Sequence, residues 1–219
     1  MFYELIDTGR SRAFPEPHAL HEKAETQGEV VIIIGERVGP ALQTLARRDD
    51  RIAVLIELGT ECLGVHTGEG RGDEGSNVLG FSRFRLGSAA PTTLVEVVRQ
   101  PRSTEAAVAA AREVFEHVGL EVAMCGDFDG RVLDRLVRPY YNAALRRLDE
   151  GLASADDLDK TLMLGLGYPE GPIALLERTG LAAHCEITQA LFEATGDAAY
   201  APARRARVAG RRGDSSNEG

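Results

Sequence analysis

The 219-residue chain has no tryptophan, three cysteines and only 5% aromatic residues. Cys62, Cys125 and Cys185 are far apart and not at metal-ligand spacings. We therefore expect reduced thiols, and neither disulfides nor a bound metal. No stretch approaches the roughly 18 consecutive apolar residues that a membrane-spanning helix needs. The opening residues are too acidic for a secretory signal, so we expect a cytoplasmic protein.

Positive charge is also scarce over most of the chain. The net charge is −9, and the Lys and Arg clusters that neutralise phosphates on nucleic acids are missing from the body of the sequence. The exception is the tail from residue 204 onward, which has two acidic residues and five arginines: Arg204, Arg205, Arg207, Arg211 and Arg212. We expect no nucleic-acid partner. The basic tail is either a solvated end or a contact for an acidic subunit or an anionic ligand.

What the sequence does contain is an α/β pattern that changes to a purely helical one. Short β-branched runs predict strands, and a helix is predicted between the last two, with Ser103 as its N-cap. After Gly126 only helical periodicity remains, including a capping-box variant at Ser154. The predicted class is α/β followed by all-α. The predicted strands are Val30–Gly35, Ile52–Leu58, Val78–Phe84, Thr93–Val98 and Leu120–Cys125.

Two glycine patterns invite a phosphate-binding interpretation. Gly35 and Gly39 lie between a strand and a helix, and Glu57 follows 22 residues after Gly35, but the dinucleotide pattern G-x-G-x-x-G occurs nowhere in the chain. An ordinary strand-to-helix turn is the better interpretation. The glycine-rich stretch 64–75 is acidic and does not lead directly into a long helix, which favours a flexible surface loop.

Three linked motifs in the helical half carry a family resemblance. The sequences RVLDRLVRPYYNAALRRL, GLASADDLD and LGLGYPEGPIAL resemble N-R-L-x-x-P-Y-x-N-E-A, E-G-V-A-S-x-E-D-I-D and G-x-G-x-P-M-G-P-L of 3-hydroxyacyl-CoA dehydrogenases, in the same order and spacing. Upstream, GFSRF and LVEVV are similar to that family's G-L-H-F-F-N-P and K-L-V-E-V-V. The resemblance covers roughly residues 29–209 and leaves residues 1–28 without a counterpart.

The resemblance implies a truncated Rossmann-like parallel sheet, followed by a helical domain like the C-terminal domain of 6-phosphogluconate dehydrogenase. The family's first βαβ unit, which carries the dinucleotide fingerprint, has no counterpart. The chain is similar to the degenerate second half of tandem-type members. We predict an N-terminal extension (1–28), an α/β domain (29–127), a helical dehydrogenase and dimerisation domain (128–205) and a flexible tail (206–219).

The resemblance also places the family's site residues on three positions. The family uses a His as base, a Glu that orients it and an Asn at the substrate, and these fall on Ser82, Glu96 and Asp134. Only the Glu is retained. A serine hydroxyl is a poor base near pH 7. Asp134 adds negative charge where an anionic substrate is expected to approach.

Three functions stay open at this stage. The first is a non-oxidising partner or acyl-CoA-binding module in fatty-acid, acyl-CoA or phenylacetate catabolism. The second is an active NAD-dependent dehydrogenase with a displaced base such as His66 and a cofactor site completed by residues 1–28 or another chain. The third is other acyl-CoA chemistry with Glu96 or Asp134 as base.

Cofactor and partner expectations follow from the same resemblance. NAD is implied by the resemblance alone, and no cofactor-binding residue is assigned. Because the helical domain forms the dimer interface in the family, we expect a homodimer or a complex with a complete 3-hydroxyacyl-CoA dehydrogenase.

Overall fold

A computed structural model describes residues 2–214 of the chain. They divide into two compact units. The first, here the α/β unit, comprises the described residues 2–84 and 91–132. The second, here the helical unit, comprises residues 85–90 and 133–214. The predicted succession of an α/β half and an all-helical half is confirmed. The finer domain division given above stays a prediction.

The α/β unit is built on a six-stranded sheet whose strands lie in chain order. β1 to β4 are parallel, β5 runs antiparallel to β4, and β6 is parallel to β5. The β4–β5 pair departs from the parallel sheet that the resemblance implies, because only residues 84–93 join the two strands and a parallel crossover needs about a dozen or more. The strands are β1 (Tyr3–Asp7), β2 (Val30–Ile34), β3 (Ala53–Glu57), β4 (Val78–Arg83), β5 (Leu94–Arg99) and β6 (Glu121–Gly126).

The central strands are buried on both faces, which explains their continuous apolar sequences. Val30, Ile32 and Ile34 of β2 belong to the core on one face, and Val31 and Ile33 belong to the core on the other. The four helices of this unit cover the two faces. They are α1 (Ala19–Glu22), α2 (Val38–Thr44), α3 (Gly64–Thr67) and α4 (Glu105–His117).

The N-terminal residues are an integral part of the sheet. β1 pairs with β2 along its whole length, and the Tyr3 hydroxyl donates to the Leu20 carbonyl at 2.8 Å. Residues 8–14, which we call the strap, leave β1 and return across the unit. Residues 1–28, predicted only as an N-terminal extension, therefore contribute a strand, and the residues around it are packed against the core.

Side-chain caps fix the ends of the longer helices. Thr104, and not the predicted Ser103, accepts the backbone N–H of Ala107 at the start of α4. Ser154 caps α6 as predicted, accepting from the Asp157 N–H. The Asp159 carboxylate accepts the N–H groups of Ile173 and Ala174 at 2.8 and 2.9 Å and so caps α7. Asp159 ends the motif GLASADDLD, and α7 begins in the motif LGLGYPEGPIAL, so the two motifs are in direct contact.

The helical unit contains five helices among the residues that the structure describes. They are α5 (Arg131–Asp149, which begins at the end of the α/β unit), α6 (Ala155–Leu166), α7 (Pro172–Thr179), α8 (Leu181–Thr195) and α9 (Arg204–Asp214). The predicted flexible tail, residues 206–219, overlaps α9, and residues 215–219 lie outside the described residues. The alternation of arginine and alanine in this stretch lacks the bulky apolar stripe by which a packed helix is normally recognised.

Candidate functional site

Two of the three sequence-predicted site residues meet on adjacent strands. Ser82 of β4 is the direct register partner of Glu96 of β5. Directly opposed residues of an antiparallel pair project from the same face, so the hydroxyl and the carboxylate share one side of the sheet. Both are buried, at 8% and 3% exposure. The geometry therefore juxtaposes the positions that the resemblance assigns to a base and to its orienting carboxylate.

The surroundings of this pair keep a nearby thiol protonated. Cys125, on the neighbouring strand β6, lies close enough to Glu96 for the carboxylate to act on it electrostatically. Burial, and after it the negative charge of Glu96, raise the pKa of the Cys125 thiol to about 11. Cys125 is therefore a thiol at neutral pH and not a nucleophile.

Asp134, the third predicted residue, belongs to α5 of the helical unit and is ion-paired. The Arg138 Nε–H donates to Asp134 Oδ1 at 2.8 Å, four residues along the same helix. The Arg138 side chain is fully buried, and that of Asp134 is 11% exposed. The negative charge expected at Asp134 is therefore present but balanced, because Arg138 supplies the opposite charge within hydrogen-bond distance. Its place in a substrate site stays a prediction.

Arg138 belongs to a series of buried polar contacts that the sequence did not predict. Its guanidinium lies 3.1 Å from His184 Nδ1 and also donates to the carbonyl of Arg85 at 3.2 Å. On the other side of the ring, His184 Nε2 lies 3.0 Å from Asn142 Oδ1. The Asn142 amide donates to the carbonyls of Ala199 and Tyr200. We call Asp134, Arg138, His184 and Asn142 the buried network.

The protonation of His184 follows from these partners. Because guanidinium nitrogens only donate, Nδ1 must accept and Nε2 must carry the proton that reaches Asn142. Burial, and after it the positive charge of Arg138, lower the pKa of His184 to about 3. A permanently neutral, fully hydrogen-bonded imidazole of this kind holds the helices together. It is not poised to exchange protons near pH 7.

Glu57 occupies the carboxyl ends of the parallel strands. Its two carboxylate oxygens accept the backbone N–H groups of Ala13 at 2.7 Å and Gly35 at 2.8 Å. The residue is 5% exposed. Glu57 is the acid that could mimic the ribose-binding residue of a dinucleotide site, and here both of its oxygens are engaged with the chain's own backbone.

The strap lies against the same edge. The Thr8 hydroxyl donates to the Ile34 carbonyl at 2.7 Å. Gly35 approaches Gly9 so closely that a Cβ on Gly35 would lie 2.8 Å from the Gly9 nitrogen. Gly35 also has a φ of +99°, so this position needs glycine for two reasons. The first glycine of the apparent fingerprint therefore lets the strap approach, which supports the interpretation as an ordinary turn.

The far end of the strap is fixed by aromatic and cationic groups. The Arg83 guanidinium donates to the Ala13 carbonyl at 2.8 Å and lies 4.9 Å from the centre of the Phe14 ring. The Phe14 ring also packs against Phe81 at 6.2 Å between centroids. Burial lowers the pKa of Arg83. The strap is thus held at both ends by buried contacts within the α/β unit.

A nicotinamide dinucleotide does not fit these residues. In Rossmann sheets the pyrophosphate lies at the carboxyl ends of the strands, on free N–H groups of a glycine-rich turn and a helix N-terminus. Here the Gly35 N–H is bonded to a carboxylate, and the strap lies across the turn. The helices after β1 and β2 have only four and seven residues. A buried carboxylate also repels a pyrophosphate.

A histidine–carboxylate pair does exist in the α/β unit, away from the Ser82 register position. His66 Nε2 lies 3.3 Å from Glu61 Oε1. Burial acts to raise the pKa of Glu61, but the hydrogen bond from His66 and those from backbone amides outweigh it and lower the pKa. His66 lies on α3. The Asp127 carboxylate caps the start of this helix by accepting the N–H groups of Leu63 at 2.5 Å and Gly64 at 2.9 Å.

The glycine-rich stretch after α3 is organised by one carboxylate. Glu74 accepts the N–H groups of Gly70 and Gly72 at 3.0 and 2.8 Å. Its own backbone N–H, and after it those of Gly72 and Gly70, lower the pKa of Glu74. Within the described ranges, no group of three or more His, Cys, Asp or Glu side chains is arranged to hold a metal ion. No helix in residues 2–214 has both the length and the apolar composition that crossing a bilayer requires.

Comparisons with known proteins connect this geometry to one family. 3-Hydroxybutyryl-CoA dehydrogenase of Mycobacterium tuberculosis is 36% identical over 126 residues, which is 57% of this chain and 43% of that protein. Probable 3-hydroxybutyryl-CoA dehydrogenase of Deinococcus radiodurans is 33% identical over 129 residues, which is 58% of this chain and 46% of that protein. The matched region therefore spans less than half the length of each of these relatives.

Solved structures share the fold over a larger part of the chain. M. tuberculosis FadB2 superimposes with a TM-score of 0.68 at 25% identity, covering 85% of this chain and 67% of that one. (S)-3-hydroxybutyryl-CoA dehydrogenase from Ralstonia eutropha gives a TM-score of 0.69 at 23% identity, covering 87% and 70%, a likeness that shows the fold alone. Residues 130–219 match the family described as 3-hydroxyacyl-CoA dehydrogenase, C-terminal domain. The resemblance predicted from the motifs is thus confirmed, and this C-terminal region matches the 3-hydroxyacyl-CoA dehydrogenase family.

Proposed function

We propose that the chain is a non-oxidising relative of 3-hydroxyacyl-CoA dehydrogenases, acting in the cytoplasm as an acyl-CoA-binding module or as the partner of a complete enzyme. The pathway we expect is fatty-acid, acyl-CoA or phenylacetate catabolism. The observation that carries the proposal is the closed carboxyl edge of the sheet. There, Glu57 and the strap take up the backbone groups that a dinucleotide needs.

The position of the family's base supports the same conclusion. Oxidation of a 3-hydroxyl group needs a base for its proton while hydride leaves for the nicotinamide. Ser82 stands at that position, opposite Glu96, and a hydroxyl with a neighbouring carboxylate cannot replace an imidazole near pH 7. Loss of a positioned base lowers the rate by roughly 10²–10⁴-fold, and loss of the hydride acceptor removes the reaction.

An apolar surface on the helical unit supports the partner role. Large apolar side chains on α5, on α6 and just beyond α6 are exposed. Leu136 and Tyr168 line one surface cavity, and exposed apolar patches commonly mark protein interfaces. We propose that this surface joins two copies of the chain or joins one copy to a complete dehydrogenase. The side chains are Leu136 at 68% exposure, Leu164 at 78%, Leu166 at 63% and Tyr168 at 41%.

Isothermal titration calorimetry with NADH and acetoacetyl-CoA tests the proposal directly. We expect acetoacetyl-CoA to bind and NADH to give no heat at micromolar protein and ligand. NADH binding to the natural chain with a micromolar Kd would overturn the proposal.

Analytical ultracentrifugation tests the partner role. Leu164→Asp should shift the chain towards monomer, or should prevent its co-sedimentation with a complete dehydrogenase. Leu120→Asp is not a useful control, because Leu120 is buried in the α/β core. Val65→Asp is a suitable one, since Val65 is 67% exposed in the α/β unit. Unchanged sedimentation of the Leu164 variant would contradict the assignment of this surface.

The His66–Glu61 pair favours a second candidate, an active NAD-dependent dehydrogenase whose cofactor site is completed by another chain. In that case His66, already oriented by a carboxylate, would be the displaced base. Acetoacetyl-CoA-dependent NADH consumption by the complex, lost in both His66→Gln and Glu96→Ala, is the required result. Absence of turnover with a complete set of acyl-chain lengths eliminates this candidate.

A further inference from the structure

The outer face of α9 concentrates positive charge in an acidic protein. Arg204, Arg207 and Arg211 lie at i, i+3 and i+7 on the helix, with the 44%-exposed Val208 between them. These four residues line a surface cavity of about 440 Å³. The whole chain carries a net charge of −9, so this face is a local exception to the charge of the molecule.

The opposite face of α9 is a firm anchor. Ala203 and Ala206 are buried, and a Cβ on Gly210 would lie 3.5 Å from Cys185 Sγ of α8. Arg205 is committed to structure, since its Nε–H donates to Asp149 at 3.0 Å. Small residues against α8, together with this ion pair, hold the helix in one orientation. The outer arginines are therefore presented on a fixed support.

The arrangement of the outer arginines is unfavourable for the helix itself. Like charges three or four residues apart repel on a helix surface. A positive side chain in the first turn, such as Arg204, also opposes the helix dipole. Within the part of the chain that the structure describes, neither Arg204 nor Arg207 forms an ion pair. Helix stability therefore does not account for this face, whereas binding of an anion does.

We propose that the outer face of α9 binds the phosphate groups of coenzyme A, an inference that rests on the proposed acyl-CoA binding. Side chains three residues apart are about 5–6 Å apart at Cβ. Those seven residues apart are separated by about 10.5 Å along the axis. This spread lets the face meet two separate phosphate groups, the diphosphate and the 3′-phosphate of coenzyme A.

The side-chain types suit a nucleotide better than a protein surface. Guanidinium groups bind phosphate oxygens in pairs and stack on aromatic rings. Val208 and the arginine methylene groups supply apolar area for an adenine. A cavity of about 440 Å³ falls in the range of small-ligand sites, which run from roughly 300 to 1,000 Å³. Nucleic acid is disfavoured as the occupant, because the net charge of −9 repels a long polyanion.

Calorimetric titration with free coenzyme A and with 3′-dephospho-coenzyme A tests the proposal. The double variant R204Q/R207Q should weaken coenzyme A binding roughly tenfold, since exposed charge-assisted contacts are individually modest. Removal of the 3′-phosphate should weaken binding to the natural chain and have little further effect on the variant. Raising the salt from about 0.05 to 0.5 M should weaken binding to the natural chain most, because exposed charges are screened.

The control variant R99Q/R112Q removes the same charge from exposed positions of the α/β unit and should bind coenzyme A like the natural chain. Equal loss in both double variants would overturn the proposal, since only net charge would then matter. So would unchanged binding in R204Q/R207Q, and in that case the proposed acyl-CoA binding would stand. If acetoacetyl-CoA and coenzyme A both fail to bind the natural chain, the acyl-CoA-binding function fails as well.

Discussion

The two units of this protein satisfy the buried acids that the sequence singles out in different ways. In the α/β unit, the carboxyl edge of the sheet is filled by the chain's own groups, Glu57 and the strap. In the helical unit, the resemblance predicts a site position at Asp134, and Arg138 four residues on balances its charge. One unit has closed a ligand-binding edge, and the other has kept a satisfied polar interior. The comparison teaches that a buried acid can be satisfied either by backbone N–H groups, as at Glu57, or by a cation on the same helix, as at Asp134.

We expect the largest loss of stability in either unit from a substitution of Arg138. Replacing it with Met leaves Asp134 and His184 without their shared donor in a buried site, which should cost about 3–5 kcal/mol of unfolding free energy. Denaturant unfolding of the helical unit measures this. Arg147→Met, on the exposed end of the same helix, should cost less than about 1 kcal/mol. Equal effects at the two positions would show that the network is not integral to the unit.

Glu57 provides the corresponding test in the α/β unit. Glu57→Gln turns one acceptor oxygen into a donor that faces a backbone N–H, so we expect a loss of about 2–3 kcal/mol. Hydrogen exchange should accelerate at the amides of Ala13 and Gly35 before it does so elsewhere in the unit. The exposed Glu105→Gln on α4 serves as the control. Unaltered protection of both amides would mean that Glu57 does not hold the strap.

The pH dependence of stability should come mainly from the helical unit. The pKa of His184 is about 3 when folded, below the ordinary 6.5, so its contribution is fully present above pH 6.5 and is lost as the pH falls. At pH 5 this loss amounts to about 2 kcal/mol relative to pH 8. Urea unfolding at both pH values measures it. His184→Gln should flatten the dependence, and the exposed His117→Gln should leave it unchanged.

A smaller acid sensitivity is expected in the α/β unit from His18. Its Nδ1 accepts the Leu20 N–H at the start of α1, which requires an unprotonated nitrogen. Burial lowers the pKa of His18, and the positive charge of Arg83 and the neighbouring His21 lower it further, against an opposing effect of Glu22. The shift has the same sign as that of His184, so acid weakens both units, and the helical unit should unfold first.

The sequence predicts those parts of the molecule that depend on local pattern. Continuous β-branched runs such as Val30–Ile34 identify buried strands, because a strand covered on both faces has no polar side. The family motifs place Ser82 and Glu96 at the site, and only the antiparallel turn between β4 and β5 makes them direct partners. Arg138 and His184 are 46 residues apart in the chain, and no spacing rule joins them.

Other features escape prediction because they depend on a contact with a distant backbone. Glu57 resembles a ribose-binding acid by its spacing from Gly35, and nothing local indicates that its oxygens reach Ala13 and Gly35 instead. Helix α9 is packed through alanines and a glycine, which carry little hydrophobic signal. For residues such as Glu57, the same sequence pattern can therefore indicate either a ligand contact or a contact with distant backbone.

The smallest predicted effects concern the helix caps, and these should be equal in the two units. Thr104→Ala removes the acceptor for the Ala107 N–H in the α/β unit, and Ser154→Ala removes the acceptor for the Asp157 N–H in the helical unit. Each should cost about 1 kcal/mol of unfolding free energy. Ser103→Ala is the matched control for the first, because Ser103 accepts from Gln100 in the preceding turn and does not cap α4. A larger loss in Ser103→Ala than in Thr104→Ala would reassign the cap. Equal losses at Thr104 and Ser154 would mean that a helix cap contributes the same free energy in both units. The difference between the units would then lie at the predicted site residues and not at the helix ends.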